Sequence, residues 1–520
     1  MAATAVPEFG LLRSVFWPIH RHEGRMIIPM FLLLFLICFN YTVVRNMKDS
    51  LIITAEGSSA AVIPYIKVWL LLPMALLMTA IFTKASSRFS QEQVIYLLIS
   101  GFLVFYAIFL LWLYPNHDAL QPHVTARWLE EVLPAGFQGA ISMYRHWTFA
   151  LFYVLSELWG SLVLTVLFWG FANEVTRIGD AKRFYAVLCV GGNLAAVLGG
   201  QLPQTLLYFI PAEGESFVYI TINIVIVNGL IIMGIFRWLN CYVFNDPRFN
   251  RLHTASPSSR KKSKLSLRDC FVQLAHSKYL LCIALLVLGY NLGINVIEVV
   301  WKDQVHTLYP KKELFNAYIG NVTSIHGLLA IVLTGLIPVM ISKLGWTRTA
   351  LITPVAMLVT GFLFFILLLS RSLLPIDGVT LLSGVVFVGA VQNAISKACK
   401  YSLFDTTKEM AFIPLDHYDK LRGKAVIDGI GSRLGKSGGS LLQQGLMLMF
   451  GSLAASVPCI AIILFVVIAA WILATKSLGR KLHLLVSKRG EEIGEDDEEK
   501  EVVLAAANEA STTEHKPAPA

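Results

Sequence analysis

The chain is poor in charged residues. Asp, Glu, Lys and Arg make up 15% of its 520 residues, whereas apolar residues make up 56% and the mean hydropathy is +0.64. Soluble domains carry about 25% charged residues, so this composition excludes an ordinary soluble domain. It predicts an all-α polytopic membrane protein.

Cysteine is also scarce. The seven cysteines are scattered and form no C-x-x-C pair, so we expect neither a metal site nor a disulfide framework, and we predict no cofactor. No cleavable signal peptide is evident, because the first apolar run follows charged residues and has full transmembrane length.

A complete phosphate-binding loop is missing as well. Residues 431–440, GSRLGKSGGS, contain the Gly-Lys-Ser of a Walker A loop, but Ile430 occupies the position of its first glycine and an apolar run follows. A membrane-embedded nucleotide-hydrolysing enzyme would need metal-binding carboxylates beside a phosphate cradle, for which Asp405 is the nearest candidate. We therefore expect no enzyme, and phosphate release by the purified protein without vesicles would favour that rival class.

Apolar runs of membrane-spanning length are abundant. A helix needs about 20 such residues to cross the hydrocarbon, and about twelve runs of this kind are predicted. Glycine and polar residues interrupt the fifth and the eleventh. The runs are 26–44, 61–83, 94–114, 149–172, 184–209, 217–239, 279–301, 317–342, 349–370, 379–403, 425–450 and 453–475.

Lys and Arg accumulate on one side of the predicted spans, which predicts that both termini are cytoplasmic. The predicted division is a cytoplasmic segment 1–25, a six-helix half 26–240, a basic linker 241–278, a second six-helix half 279–475 and an acidic, disordered tail 476–520. The RKKSK cluster of the linker is interpreted as a topology determinant, which keeps this loop on the cytoplasmic side and attracts anionic lipid. We expect no nucleic-acid partner.

The two halves resemble each other weakly. VVRNMKDS in the first span matches EVVWKDQ in the seventh, and AVLCVGGNLAAVLGGQL in the fifth matches AVIDGIGSRLGKSGGSL in the eleventh. Two six-helix halves related by an axis along the membrane normal are the plan of major-facilitator transporters, whose substrates bind near the midplane between the halves. The repeat therefore predicts a major-facilitator-like transporter.

Four charges fall inside the predicted spans: Lys48, Glu157, Glu298 and Lys436. A charge at the bilayer centre costs about 2.5–3.5 kcal/mol on insertion scales, so it usually faces the bundle interior with a partner or a substrate. Helical spacing places further candidates on the same faces as these four. They are Tyr41 and Arg45 beside Lys48, Tyr153 beside Glu157, Asn295 beside Glu298, and Arg433 beside Lys436.

Plainer interpretations compete with a binding site. Lys48 and especially Lys302 lie near helix ends, where a lysine snorkels to the interface. For Glu157 and Glu298, a structural role as partners of Lys or Arg within the bundle competes evenly with a role in binding. The glycines around Lys436 are more often helix-packing residues than ligand contacts.

A cavity with cations from both halves suits a polyanion. Ammonium and guanidinium groups satisfy phosphate oxygens, and their attraction is stronger where water is sparse. The ring of Tyr41 is placed to stack on a base. We expect the two glutamates to pair with Lys48, Arg45 or Arg433 when the cavity is empty.

Long blocks of the chain carry a resemblance. FNYTVVRNMKDSLI, SELWGSLVLTVLFWGFANEVTRIGDAKRFYA, NVIEVVWKDQVHTLYP, KYSLFDTTKEMAFIPLD and GKAVIDGIGSRLGKSGGS are similar to the nucleotide transporter family of ATP/ADP translocases. The resemblance covers about residues 17–476 and implies that Lys48, Glu157, Glu298 and Lys436 are needed for transport. It also implies that ATP and ADP are the substrates.

Two mechanisms remain open within that family. The main expectation is an antiporter that imports ATP in exchange for ADP, acting as a monomer in a bacterial inner membrane. The alternative is a symporter of nucleoside triphosphates and protons, or an exchanger of broader specificity. The GKSGG block and AEGSSAAVIPYIK resemble the exchangers more closely.

Overall fold

The structure is a computed structural model that describes residues 19–20, 23–176, 178–209, 215–243, 277–372, 378–415, 423–424, 426–427 and 431–513. Within these ranges, the side chains of 91, 174, 178–182, 186, 243, 372, 432–434 and 486–513 are not described. The described residues form helices and connecting turns and contain no strand. The N-terminal segment and the basic linker fall largely outside the described residues.

Ten helices in the described ranges are long and apolar enough to cross a membrane. We number the spans α1 (Gly24–Ile53), α2 (Val62–Arg88), α3 (Glu92–Leu113), α4 (Trp147–Asn173), α5 (Arg183–Phe209), α6 (Ser216–Tyr242), α7 (Lys278–Leu308), α8 and α9 (both within Lys312–Leu369), α10 (Gly378–Ala411), α11 (Ser432–Phe450) and α12 (Leu453–Leu485). Three short helices, His117–Leu120, His123–Val132 and Gln138–Arg145, connect α3 to α4.

About twelve spans are predicted, whereas ten helices meet the criteria for a membrane span in the described ranges. Two features of the structure explain the difference. Gly345 has φ 76° and ψ 167°, which breaks the helix Lys312–Leu369 into α8 (312–344) and α9 (346–369). Helix α11 lies outside the ten because its glycines and polar residues make it less apolar, yet it coincides with the eleventh predicted span. The fold is all-α and polytopic, with two halves of six helices each.

The helix that begins with α12 continues to Thr513. The helical backbone therefore runs into the predicted acidic tail, residues 476–520, whose residues Glu, Lys, Ala and Leu have high helix propensity. Disorder of this tail stays a prediction.

The two halves pack in the same way. Helix α1 packs against α4, α5 and α6, and its counterpart α7 packs against α10, α11 and α12. The halves meet where α5 packs on α8 and where α2 packs on α11. At the first contact a side chain on Gly200 or Gly320 would collide with the backbone of the facing helix. This repeated packing is the arrangement expected of a major-facilitator plan.

The halves are in contact at the membrane face opposite to the one at which α1 begins and α12 ends. We call these the opposite face and the terminal face. Ser50 at the end of α1 donates to the carbonyl of Lys312 at the start of α8 over 2.6 Å. Gln444 of α11 donates to the carbonyl of Pro64 in α2 over 2.8 Å. Because these bonds join the two halves, the passage is closed at the opposite face.

Candidate functional site

A cavity of about 560 Å³ lies between the two halves. Its walls come from α1, α2 and α4 of the first half and from α7, α10 and α11 of the second. It extends from the level of Lys48 and Lys302 toward the terminal face, where Ala75, Thr165 and Lys408 line it. Both halves therefore contribute to one chamber on the terminal side of the closed contacts.

The cavity carries an excess of positive charge. Eight cationic side chains line it against three carboxylates. A chamber of this volume whose lining carries more cations than carboxylates suits a ligand that carries several negative charges. The cations are Arg45, Lys48, Lys67, Lys302, Lys397, Lys400, Lys408 and Lys436, and the carboxylates are Glu157, Glu298 and Asp405.

A chain of buried ion pairs closes the deep end of the cavity. Lys48 lies 2.8 Å from Asp49 and 3.1 Å from Glu157. Lys302 lies 2.7 Å from the other oxygen of Asp49 and 2.8 Å from Glu298. Since Asp49 is on α1 and Lys302 on α7, the chain of ion pairs joins the two halves.

Glu298 holds more cations than any other carboxylate of the cavity wall. In addition to Lys302, its carboxylate lies 3.0 Å from Lys397 of α10 and 3.9 Å from Arg45 of α1. Buried charges are stable only when they are paired and hydrogen-bonded. A ligand anion that replaces Glu298 beside these cations would satisfy the same requirement.

Snorkelling is the wrong interpretation of Lys48 and Lys302. Only 1% of Lys48 and 5% of Lys302 is exposed, and both ammonium groups are held by carboxylates inside the bundle. The ammonium of Lys48 also lies 3.7 Å from the ring centre of Tyr153, a cation–π contact. The helix-end position of these lysines suggests the interface, but each lysine is held by a carboxylate of another helix: Lys48 by Glu157 of α4, and Lys302 by Asp49 of α1.

Lys436 differs from these paired lysines. It is exposed on the cavity wall and makes no ion pair or side-chain hydrogen bond within the described part of the chain. Its carbonyl accepts a 3.0 Å hydrogen bond from Asn295 of α7. Gly435 lets α11 approach that helix, because a side chain there would lie 2.8 Å from the Cβ of Asn291. Gly435 therefore serves helix packing, in agreement with the plainer interpretation, and thereby places Lys436 in the cavity, whereas a side chain on Gly438 would meet nothing within 4 Å.

A family model described as TLC ATP/ADP transporter matches residues 2–482. The chain belongs to the TLC ATP/ADP transporter family. This confirms the resemblance found in the sequence blocks and identifies the chain as a transporter rather than an enzyme.

Curated relatives of this TLC transporter match over nearly its whole length. ADP,ATP carrier protein 1 of Chlamydia muridarum (strain MoPn / Nigg) is 43% identical over 532 residues, covering 100% of this chain and 99% of the relative. ADP,ATP carrier protein 1 of Chlamydia pneumoniae is 42% identical over 509 residues, covering 96% and 99%. The chloroplastic ADP,ATP carrier protein 1 of Arabidopsis thaliana is 38% identical over 496 residues, covering 93% and 77%.

Most of the candidate residues predicted for this TLC transporter line the cavity. The structure places eight of the nine there: Tyr41, Arg45, Lys48, Tyr153, Glu157, Asn295, Glu298 and Lys436. The ninth, Arg433, has a side chain outside the described residues. Glu157 contacts Lys48 and Glu298 contacts Arg45, which are two of the partners expected for these glutamates. That the pairs form when no nucleotide is bound stays a prediction.

Two polar residues of α11 that follow Lys436 face the neighbouring helix α7 and not the cavity. Ser440 accepts a hydrogen bond from Asn295 over 3.0 Å, and Gln443 donates to the carbonyl of Val296 over 3.2 Å. Asn295 also accepts a hydrogen bond from Lys67 of α2. Asn295 therefore joins α2, α7 and α11 as well as lining the cavity.

Sequence reasoning missed several cations of the TLC transporter. Lys67, Lys397 and Lys400 lie within predicted spans, so the cost of burying a charge would have found them by the rule that found Lys436. Lys400 is paired with Asp405 over 3.2 Å. The carboxylate considered for an enzyme therefore has a lysine partner.

Proposed function

We propose that this transporter exchanges ATP for ADP by alternating access. The cavity, whose lining carries more cations than carboxylates and which is closed at one membrane face, is the observation that carries the proposal. Nucleotide phosphates provide the compensating negative charge. The transporter would release one nucleotide at the terminal face, bind another there, and then open toward the opposite face.

Lys436 is the proposed first contact of the phosphates, because it faces the cavity without a carboxylate partner among the described residues. Arg45 is the proposed second contact of the phosphates, since its 3.9 Å distance from Glu298 is longer than the other ion-pair distances at the deep end of the cavity. Charge-assisted hydrogen bonds to phosphate oxygens form at about 2.7–2.9 Å. A phosphate oxygen would therefore give Arg45 a closer hydrogen bond than Glu298 does.

Partner exchange would couple binding to the conformational change. In the present state Glu157 and Glu298 hold cations that the phosphates also attract. A nucleotide that takes over some of these cations changes the balance between the two halves, and a ligand shifts an equilibrium only through such a difference. An empty cavity that closed would bury unneutralised cations, which costs several kcal/mol. Exchange, rather than one-way transport, follows from that cost.

A bacterial inner membrane with cytoplasmic termini is the proposed location. The chlamydial relatives are the more similar ones, and Lys and Arg accumulate on the terminal side of the spans. The proposed direction in the cell is import of ATP and export of ADP. We propose a functional monomer, because all six cavity-lining helices come from a single chain.

Counter-transport into vesicles tests this function. Liposomes containing the purified protein and loaded with radiolabelled ADP are placed in unlabelled ATP, and both nucleotides are measured on each side. We expect one ADP to leave for each ATP that enters, and no phosphate to be released by the protein in detergent. ATP entry without loss of ADP would contradict exchange, and phosphate release in detergent would favour an enzyme.

A further inference from the structure

The part of the cavity nearer the terminal face has two unlike walls. The second half presents Lys400, Asp405, Lys408 and Lys436 there. Among the described residues that line the cavity, the first half presents no charged side chain nearer the terminal face than Glu157 of α4 and Lys67 of α2. Its residues in this region are instead Leu71, Leu72, Ala75, Leu158, Ser161 and Thr165. A ligand with an anionic end and an uncharged end would lie across the cavity between these walls.

An aromatic ring borders the uncharged wall. Tyr41 of α1 lines the cavity, and its ring lies directly against Gly160 of α4, where a side chain would come within 2.5–2.6 Å of two ring carbons. Gly160 begins the π-helical segment Gly160–Phe168, a helix distortion often found at functional sites. The glycine thus lets the ring approach the backbone of α4 closely, and this backbone supports the ring from one side.

Two hydroxyl groups on the α4 wall of the cavity already donate their protons to backbone carbonyls. Ser161 donates to the carbonyl of Leu158 over 3.2 Å, and Thr165 donates to the carbonyl of Gly160 over 3.1 Å. A hydroxyl has one proton and two acceptor lone pairs. Toward the cavity, both residues therefore present hydrogen-bond acceptors.

We infer that Tyr41, Ser161 and Thr165 form the recognition site for the base and favour a 6-aminopurine over a 6-oxopurine. The inference rests on the proposed nucleotide transport and adds base selectivity to it. The base stacks on the Tyr41 ring. The exocyclic amine of adenine donates to the hydroxyl oxygens, whereas the carbonyl of hypoxanthine or guanine places an acceptor against acceptors.

Competition between ATP and inosine triphosphate tests this inference, because the two differ only at the 6-position and the adjacent ring nitrogen. The measured quantity is the ratio of the concentrations of each that halve uptake of labelled ATP into ADP-loaded vesicles. We expect wild type to prefer ATP at least about tenfold, the value of one lost hydrogen bond of good geometry. Ser161→Ala and Thr165→Val should each reduce that ratio severalfold.

Thr79→Val is the matched control. Thr79 on α2 also donates to a carbonyl four residues earlier, over 2.7 Å, but it does not line the cavity. Its ratio should equal that of wild type. Should Ser161→Ala be unstable, Thr165→Val alone carries the test. Equal ratios in wild type and in Thr165→Val, with ATP uptake intact, would overturn base recognition at this wall and leave nucleotide exchange standing.

Gly160→Ala separates stacking from hydrogen bonding. The added methyl group displaces the Tyr41 ring, so the inhibitory concentrations of ATP and inosine triphosphate should rise together by a similar factor. Inhibition by tripolyphosphate, which has no base, should not change. A change in tripolyphosphate inhibition equal to that of ATP would place Tyr41 at the phosphates and contradict the inference. Absence of ATP uptake by wild type would instead overturn the proposed function itself.

Discussion

Lys302 of α7 donates a 2.7 Å hydrogen bond to Asp49 of α1, 253 residues away in the chain. The other oxygen of Asp49 accepts from Lys48 over 2.8 Å. Because only 2% of Asp49 is exposed, this carboxylate compensates two buried cations and joins the two halves between the cavity and the opposite face. We expect this contact to be lost when that face opens, so that Asp49 stabilises one of the two states of alternating access.

Asp49→Asn should therefore favour opening at the opposite face. A hydrogen bond to a charged group contributes about 1.5–3 kcal/mol, so we expect the open population to rise about tenfold. Ser50 reports on this opening, because it is fully buried at the contact with Lys312. The measurement is labelling of Ser50→Cys, in a chain without other cysteines, by a membrane-impermeant maleimide added at the opposite face.

Asp118→Asn is the control for this experiment. Asp118 lies in the short helix His117–Leu120, its side chain is 85% exposed, and its ion-pair partner among the described residues is the neighbouring His117. Labelling should match that of the unsubstituted reporter chain. Equal labelling of the Asp49→Asn and Asp118→Asn chains would show that Asp49 does not hold the opposite face closed.

Lys436→Ala should weaken nucleotide binding without affecting membrane insertion. The variant loses a charge-assisted contact worth about 1.5–3 kcal/mol, which raises the apparent KM for ATP about tenfold or more. Lys343→Ala is the control, because Lys343 is an exposed lysine of α8 outside the cavity lining. An unchanged KM in Lys436→Ala would remove this lysine from the binding site.

Glu298→Gln should impair exchange more than Glu157→Gln does. Glu298 lies within ion-pair distance of Lys302, Lys397 and Arg45, whereas Glu157 holds Lys48, which keeps Asp49 as a second partner. Breaking a buried ion pair costs about 3–5 kcal/mol when a charge remains uncompensated. We expect the exchange rate of Glu298→Gln to fall more than about tenfold. The reverse ranking of the two variants would contradict the contacts described for Glu298.

Lys397, which sequence reasoning missed, should prove as important as the predicted cations. Lys397→Met removes a 3.0 Å ion pair with Glu298 and one of the eight positive charges of the cavity. We expect a large loss of ATP exchange, with partial recovery in Lys397→Arg because the charge returns with different geometry. Wild-type exchange by Lys397→Met would show that this lysine serves neither binding nor closure.

Hydropathy and burial cost predict much of this molecule from the sequence. Spans such as α1 and α7 are continuous apolar runs, and Lys48, Glu157, Glu298 and Lys436 stand out because an intramembrane charge requires a partner. The same rule extends to Lys397 and Lys400. The rule does not predict which partner a charge near a helix end will have.

The pairing of Lys302 with Asp49 was beyond this reasoning. Each residue alone sits near a helix end, where a lysine is expected to snorkel, and only the packing of α1 beside α7 brings them within 2.7 Å. Likewise, Ser161 and Thr165 appear in the sequence as ordinary small polar residues. The direction of their protons depends on the backbone carbonyls of Leu158 and Gly160, which lie just before and at the start of the π-helical segment of α4.

Uptake of labelled ATP into proteoliposomes with an uncoupler present tests the central claim most directly. One set of vesicles contains ADP and the other contains buffer alone. Because closing an empty cavity buries unneutralised cations, we predict rapid uptake into the ADP-loaded vesicles, almost none into the empty ones, and no effect of the uncoupler. Uptake into empty vesicles that disappears when the uncoupler is added would contradict exchange and establish proton symport.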